Sequence, residues 1–287
     1  MKKLFSLFLV FSLIFALAAC SSTPAAAPTD APTEAATDAP TEAPTDEPTA
    51  EPASAGSDVA AKTKLVVGTS ADFPPYEYYD GDKIVGVEVE MMEKIAEKLG
   101  MEFELVDMSF DTIIAAVTSG KVDIGMSGFT VTEERKQNVN FSVSYIKAKQ
   151  SIVVPEGSPI ATVDDLYTEG ATYAVGVQNS TTGDLYITED VEDKGLKLDI
   201  QRFTKYPDII AALKSGKLEC AIIDDQVAKA FVEENPELHL LDTAYADEDY
   251  ALCMSKDNTE LLAQIDKALE EMIADGTMQA IIDKYIK

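Results

Sequence analysis

Three short stretches carry side chains able to hold a small charged molecule. The first is Ser127-Gly128-Phe129-Thr130-Val131-Thr132-Glu133-Glu134-Arg135. Thr132 followed by Glu133 and Glu134 is a helix-opening pattern, which sets Arg135 in the first turn. A guanidinium presents a planar fork of N–H donors that matches a carboxylate bidentately. Gly128 permits close backbone approach, and Ser127 and Thr130 add hydroxyls. The plainer alternative is a surface arginine paired with Glu133 or Glu134. The second stretch is Ser180-Thr181-Thr182, the start of a helix whose free N–H groups form an anion site. Ordinary N-capping is compatible with that use. The third is Asp224, which ends the apolar strand Ala221-Ile222-Ile223. N-capping of a helix over 225–234 is one role open to it, and Asp225 competes for any role it has.

Other chemistry finds less support. The single histidine, His239, lies in Leu238-His239-Leu240-Leu241 with no second histidine and no Cys-x-x-Cys spacing, so metal catalysis is not expected. No Ser-His-Asp or Cys-His constellation is present. Asp224 or Asp72 could still serve as a general acid or base in a cleft. Cys220 and Cys253 read as small buried strand residues, with a disulfide between them left open. The net charge is −28; residues 62–287 hold 21 basic and 43 acidic residues, a net −22. That balance argues against nucleic acid, which needs a basic footprint. Solubility explains the acidity without a cationic ligand.

These residues are carried by a body that repeats itself. Ile113-Ile114-Ala115-Ala116-Val117-Thr118-Ser119-Gly120-Lys121-Val122-Asp123 matches Ile209-Ile210-Ala211-Ala212-Leu213-Lys214-Ser215-Gly216-Lys217-Leu218-Glu219 at seven of eleven positions, offset by 96. Each copy predicts an apolar helix closed by glycine, then a short apolar strand. Leu65-Val66-Val67-Gly68-Thr69-Ser70 and Tyr173-Ala174-Val175-Gly176-Val177-Gln178 are upstream strands running into small-residue turns. Two similar α/β lobes follow, with a cleft beyond the carboxyl ends of their strands and a hinge to close it.

Residues 1–19 combine a basic start, Lys2-Lys3, with an apolar run from Leu4, the pattern of a secretory signal. Leu17-Ala18-Ala19-Cys20 resembles the lipobox of bacterial lipoproteins, which implies cleavage before Cys20 and its acylation. An ordinary cleavage site with a chance cysteine is the alternative. Residues 20–61 repeat Pro-Thr-acid-Ala, as in Pro28-Thr29-Asp30-Ala31, and residues 21–61 contain no Lys, Arg or aromatic residue. With nothing to bury, this segment reads as a disordered, extended tether. No other stretch is long and apolar enough to span a membrane.

Three strings carry a further resemblance. Gly86-Val87-Glu88-Val89-Glu90 leads a helix to Gly100; Asp123-Ile124-Gly125-Met126-Ser127-Gly128-Phe129-Thr130-Val131-Thr132-Glu133-Glu134-Arg135 follows; then comes Phe141-Ser142-Val143-Ser144-Tyr145. Together they resemble the polar amino-acid solute-binding proteins of ABC importers, bacterial extracellular solute-binding protein family 3, across nearly all of 64–287. The resemblance implies an α/β fold of two Rossmann-like lobes joined by a two-strand hinge, periplasmic-binding-protein-like type II. Lobe one is expected at 62–148 with 246–287 and lobe two at 149–245. By the resemblance, Arg135 holds a ligand's α-carboxylate, helped by Thr130 and the Gly128 backbone, while Thr181 and Thr182 grip it from the second lobe. Asp224 pairs with the α-ammonium. Phe73 and Phe110 form aromatic walls, although Phe110 could be core alone, and Gln178 either contacts the side chain or points to solvent. Ser70 departs from relatives that carry an acid there, which weighs against a basic ligand. The implied protein is a monomeric, lipid-anchored extracytoplasmic receptor without a cofactor. Its partners are a free amino acid, an ABC permease and, through the anchor, the membrane. An extracytoplasmic dehydratase of the same fold and a sensor or adhesin module are the alternatives.

Overall fold

The computed structural model describes residues 63–287, so the signal peptide, Cys20 and the tether lie outside the described residues. The described chain opens with β1 (Lys64–Thr69), which buries Leu65, Val67, Gly68 and Thr69. A small antiparallel sheet follows, built from β2 (Asp72–Phe73), β3 (Glu77–Asp80) and β4 (Lys83–Val85). Helix α1 (Val87–Leu99) buries Met91, Met92, Ile95 and Ala96 as one stripe, the spacing a 3.6-residue period gives a core-facing helix. It stops at Gly100, whose φ of 66° suits a residue without Cβ. Next come β5 (Glu102–Asp107), α2 (Phe110–Thr118), β6 (Ile124–Gly125), the short α3 (Glu133–Lys136) and β7 (Val139–Phe141).

Strand β8 (Ile146–Pro155) then leaves for a second sheet. That lobe holds β9 (Ala174–Gln178), α4 (Thr182–Lys194), β10 (Asp199–Phe203), α5 (Tyr206–Lys214), β11 (Cys220–Asp224) and α6 (Asp225–Glu234). Strand β12 (Leu238–Tyr250) runs back antiparallel to β8, from Leu238 opposite Pro155 to Tyr250 opposite Ile146. Its register shifts between Leu240 and Ala246, the kind of irregularity that bends a strand. The chain ends in the first lobe with β13 (Cys253–Ser255), α7 (Thr259–Ala274) and α8 (Thr277–Tyr285). Both helices pack on α1, and Lys98–Glu271 and Lys284–Glu90 join them at the surface.

The two large sheets share one plan. Their strand orders are β5-β1-β6-β13-β7 and β10-β9-β11-β8-β12, each a parallel trio extended by antiparallel strands. The repeat explains the match. Helices α2 and α5 begin and end at positions offset by 96, and Gly120 and Gly216 after them take φ of 72° and 70°. Separate apolar clusters form around Ile113, Val117 and Phe129 in one lobe and Ile152, Val175, Val177 and Ile222 in the other. The architecture is the expected two-lobed α/β fold. Among the described residues no helix is long and apolar enough to cross a membrane. Cys220 and Cys253 are buried with free thiols, one in each sheet, so the structure holds no disulfide between them. Burial pushes both thiols up to about 12. His239 is exposed on β12.

Candidate functional site

The carboxyl ends of β1, β6 and β9 and the crossing strands meet at a narrow cavity between the lobes. It is lined from the first lobe by Ser70, Asp72, Phe73, Phe110, Ser127, Gly128, Thr130 and Arg135, and from the second by Gln178, Thr181, Thr182 and Tyr206. Gln150 of β8 and Tyr250 of β12 complete it. Of the residues expected to form the site, all but Asp224 are on this wall.

Arg135 is 6 % exposed although it sits in a helix of four residues. The Thr132 hydroxyl caps that helix by accepting from Arg135 N at 3.1 Å. Arg135 is buried, Glu133 pairs with Lys136, and neither Glu133 nor Glu134 forms an ion pair with Arg135 among the described residues, so it is not a surface pair. Its Nη1 donates to Thr130 O at 2.9 Å and its Nη2 crosses the cleft to Ser180 O at 3.0 Å. The guanidinium lies over the rings of Phe110 and Phe129, 5.5 and 5.4 Å from their centroids. Among the described residues no carboxylate stands within 4 Å of it. Burial lowers its pKa, an effect that the field of Glu248 opposes. A buried cation met only by carbonyls and ring faces is an electrostatic demand for an anion. Ser180 strengthens the arrangement: it adopts a φ of 62°, uncommon outside glycine, and its carbonyl takes the Arg135 bond.

The neighbouring loop is braced from behind by two buried acids. Ser127 Oγ donates to Glu77 Oε1 at 2.5 Å and accepts from Ser70 N at 3.2 Å. Gly128 N donates to Glu88 Oε1 at 2.9 Å, and the Tyr145 hydroxyl donates to the same oxygen. Burial, then the charge of Glu88, pushes Glu77 well above the carboxylate range. The Gly128 N–H, expected to help hold a ligand, donates here to Glu88. What glycine supplies is space, because with φ at 55° a Cβ would stand 2.6 Å from Phe73 Cε1. Phe110 is both core and wall, stacked on Phe129 with centroids 4.7 Å apart.

In the second lobe Thr181 caps α4, accepting from Asp184 N at 3.4 Å, and its hydroxyl donates to Gln178 O at 2.8 Å. Gln178 points inward, with Nε2 3.3 Å from Asp72 Oδ2 and 3.0 Å from Thr204 O. Asp224 is the exception. It is fully buried as the N-cap of α6, accepting from Gln226 N at 2.9 Å and Val227 N at 3.1 Å, and it stands behind Tyr250, whose hydroxyl donates to it at 2.8 Å. The strand–helix junction fixes Asp224 as a cap, and the crossing strand then sets Tyr250, a wall residue, with its hydroxyl against it. Burial raises its pKa to about 7. Asp225 is tied up with Lys149 and Lys229.

Sequence reasoning missed Gln150, Tyr206 and Tyr250 and did not rank Asp72 as a binding residue. Tyr206 had a signal: it is the repeat partner of Phe110, each opening its helix at the wall. Phe73, Tyr76, Tyr206 and Tyr250 form one aromatic cluster, with Phe73 centroids 5.1 Å from Tyr76 and 5.8 Å from Tyr206. Arg135 and Asp72 are the charged members of the wall, one of each sign. An aromatic cleft with a buried cation and polar groups on both walls can hold a small charged molecule.

A family profile described as bacterial extracellular solute-binding proteins, family 3, matches residues 65–287. The arginine-binding extracellular protein ArtP of Bacillus subtilis (strain 168) is 35% identical over 235 residues, which cover 81% of this chain and 89% of ArtP. An ancestral arginine-binding protein solved with arginine is 38% identical, with a TM-score of 0.73 over 79% of this chain and 99% of the other. An ancestral arginine-binding protein solved with glutamine is 38% identical, with a TM-score of 0.72 over 78% and 98%. On the strength of the matched span and the two-lobed α/β structure around the cleft, the chain belongs to the bacterial extracellular solute-binding proteins, family 3.

Proposed function

We propose that this protein is the extracytoplasmic amino-acid receptor of an ABC importer, tethered to the membrane by lipid on Cys20. The observation that carries the reading is Arg135, a buried guanidinium facing the cleft without a carboxylate partner among the described residues. A ligand α-carboxylate answers that charge, with Thr181, Thr182 and the first N–H groups of α4 completing its cradle. Asp224 supplies the countercharge for the α-ammonium from behind Tyr250. The side chain then faces Ser70, Asp72 and Gln178, a polar patch that favours a polar amino acid.

Contacts come from both lobes, so the full set exists only when they close, and binding shifts the population toward that form. The crossings near Ile146–Gln150 and Thr243–Asp247 serve as the hinge between lobes at 62–148 with 246–287 and at 149–245. That the relatives are binding proteins for arginine, and one solved neighbour holds glutamine, supports an amino-acid ligand. A thermal-shift screen against the amino acids tests it. A ligand at a hundred times its Kd stabilises by about 2.7 kcal/mol. If no amino acid moves the melting temperature, the reading fails. Turnover of prephenate-like cyclic precursors would instead favour the dehydratase alternative.

A further inference from the structure

Lys205 has no part in the scheme above, yet it reaches the site. It immediately precedes α5 in the second lobe and extends its ammonium into the first. Nζ lies 3.1 Å from Ser70 Oγ, 3.4 Å from Asp72 Oδ1 and 3.8 Å from Asp107 Oδ1. Ser70 and Asp72 are wall residues, and Asp72 is the wall's one carboxylate. The other Asp72 oxygen accepts from Tyr206 N at 2.9 Å and Gln178 Nε2 at 3.3 Å. A lysine of the protein's own thus occupies the position that a cationic ligand side chain would seek.

We propose that Lys205 is a specificity-determining residue that disfavours cationic side chains in the cleft relative to neutral polar ones. The inference rests on the amino-acid reading of the site. A guanidinium or ammonium arriving at Asp72 meets a like charge in a partly dehydrated space and must displace it. A neutral amide or ureido group hydrogen-bonds to Ser70, Asp72 and Gln178 with Lys205 left in place. The lysine side chain is 32% exposed, so it has a path to solvent and the discrimination is graded. A role as a mere latch between the lobes makes a different prediction, because loosening closure weakens every ligand alike.

L-Arginine and L-citrulline separate the two, being close in shape and differing in side-chain charge. Isothermal titration calorimetry is run with both ligands on the wild type, Lys205→Met and Lys205→Gln. The ratio of arginine to citrulline association constants is expected to rise about tenfold in either variant. An unchanged ratio, or equal weakening of both ligands, overturns the proposal while leaving the receptor reading intact. If the wild type binds neither these two nor any amino acid in the thermal-shift screen, the receptor reading itself fails and this inference falls with it.

Discussion

Replacing Arg135 by methionine separates binding from folding. In the unliganded protein the change removes two charge-assisted hydrogen bonds, to Thr130 O and Ser180 O. Each is worth about 1.5–3 kcal/mol. It also removes a buried cation without a carboxylate partner, whose burial costs several kcal/mol on its own. An unbranched apolar chain keeps contact with the Phe110 and Phe129 rings. The opposing effects leave a net change of about 2 kcal/mol or less. For a domain of this size that is a melting shift of no more than about 8 °C in either direction. Binding is different, because truncating one partner of a buried charge pair costs about 2–5 kcal/mol. That is a loss of roughly 30- to 5,000-fold in affinity. The assay is differential scanning fluorimetry with and without the amino acid that gives the largest shift on the wild type. Circular dichroism confirms that the variant is folded. With ligand at a hundred times the wild-type Kd, the ligand-induced stabilisation should fall to about a third of its wild-type size or less in Arg135→Met, while the unliganded protein still melts cooperatively. A variant that keeps the full ligand-induced shift would refute the assignment of the carboxylate contact.

Four further outcomes follow from the geometry. Asp224 titrates near 7 when folded, above its ordinary 3.8, because it is buried. Its contribution to stability is therefore full below about pH 4 and is lost as pH rises through about 7. An arriving ammonium favours the ionised form, so binding at pH 6.5 should release a proton, seen as a buffer-dependent heat that Asp224→Asn abolishes. Gly128→Ala places a Cβ against the Phe73 ring at positive φ, which should weaken binding at least about tenfold and destabilise the protein by about 1–3 kcal/mol in urea melts. Glu88→Ala deprives Gly128 N and the Tyr145 hydroxyl of their acceptor and should cost about 2–5 kcal/mol. Glu77→Gln should cost less, since burial favours the neutral form of the Glu77 carboxyl, which an amide resembles.

Much of the architecture was legible because it is local. The sequence repeat at offset 96 returned as α2 and α5, with the same limits and the same left-handed glycine after each. Identical apolar spacing and the same glycine carry the same conformational preferences wherever they occur. Arg135, Thr181 and Phe73 could be placed because a capping pattern or a strand-end turn fixes where their side chains begin. That Asp72 is on the wall and Asp224 is not has a non-local reason. Wall membership depends on how the crossing strand lays Tyr250 over β11, and Tyr250 is 26 residues from Asp224. The bond between Gly128 and Glu88 spans 40 residues and that between Lys205 and Ser70 spans 135, separations at which local pattern carries no register. Gln150 and Tyr250 escaped notice because crossing strands are read as connections until their pairing is known.

Chemistry on the ligand tests the central idea without altering the protein. The amino acid giving the largest thermal shift is compared with its own α-carboxamide by calorimetry on the wild type. Converting the carboxylate to an amide removes the negative pole and leaves the ammonium and side chain in place. If Arg135 holds that carboxylate, the amide should bind at least about a hundredfold more weakly. Equal affinity for acid and amide would mean that the buried guanidinium serves some other purpose.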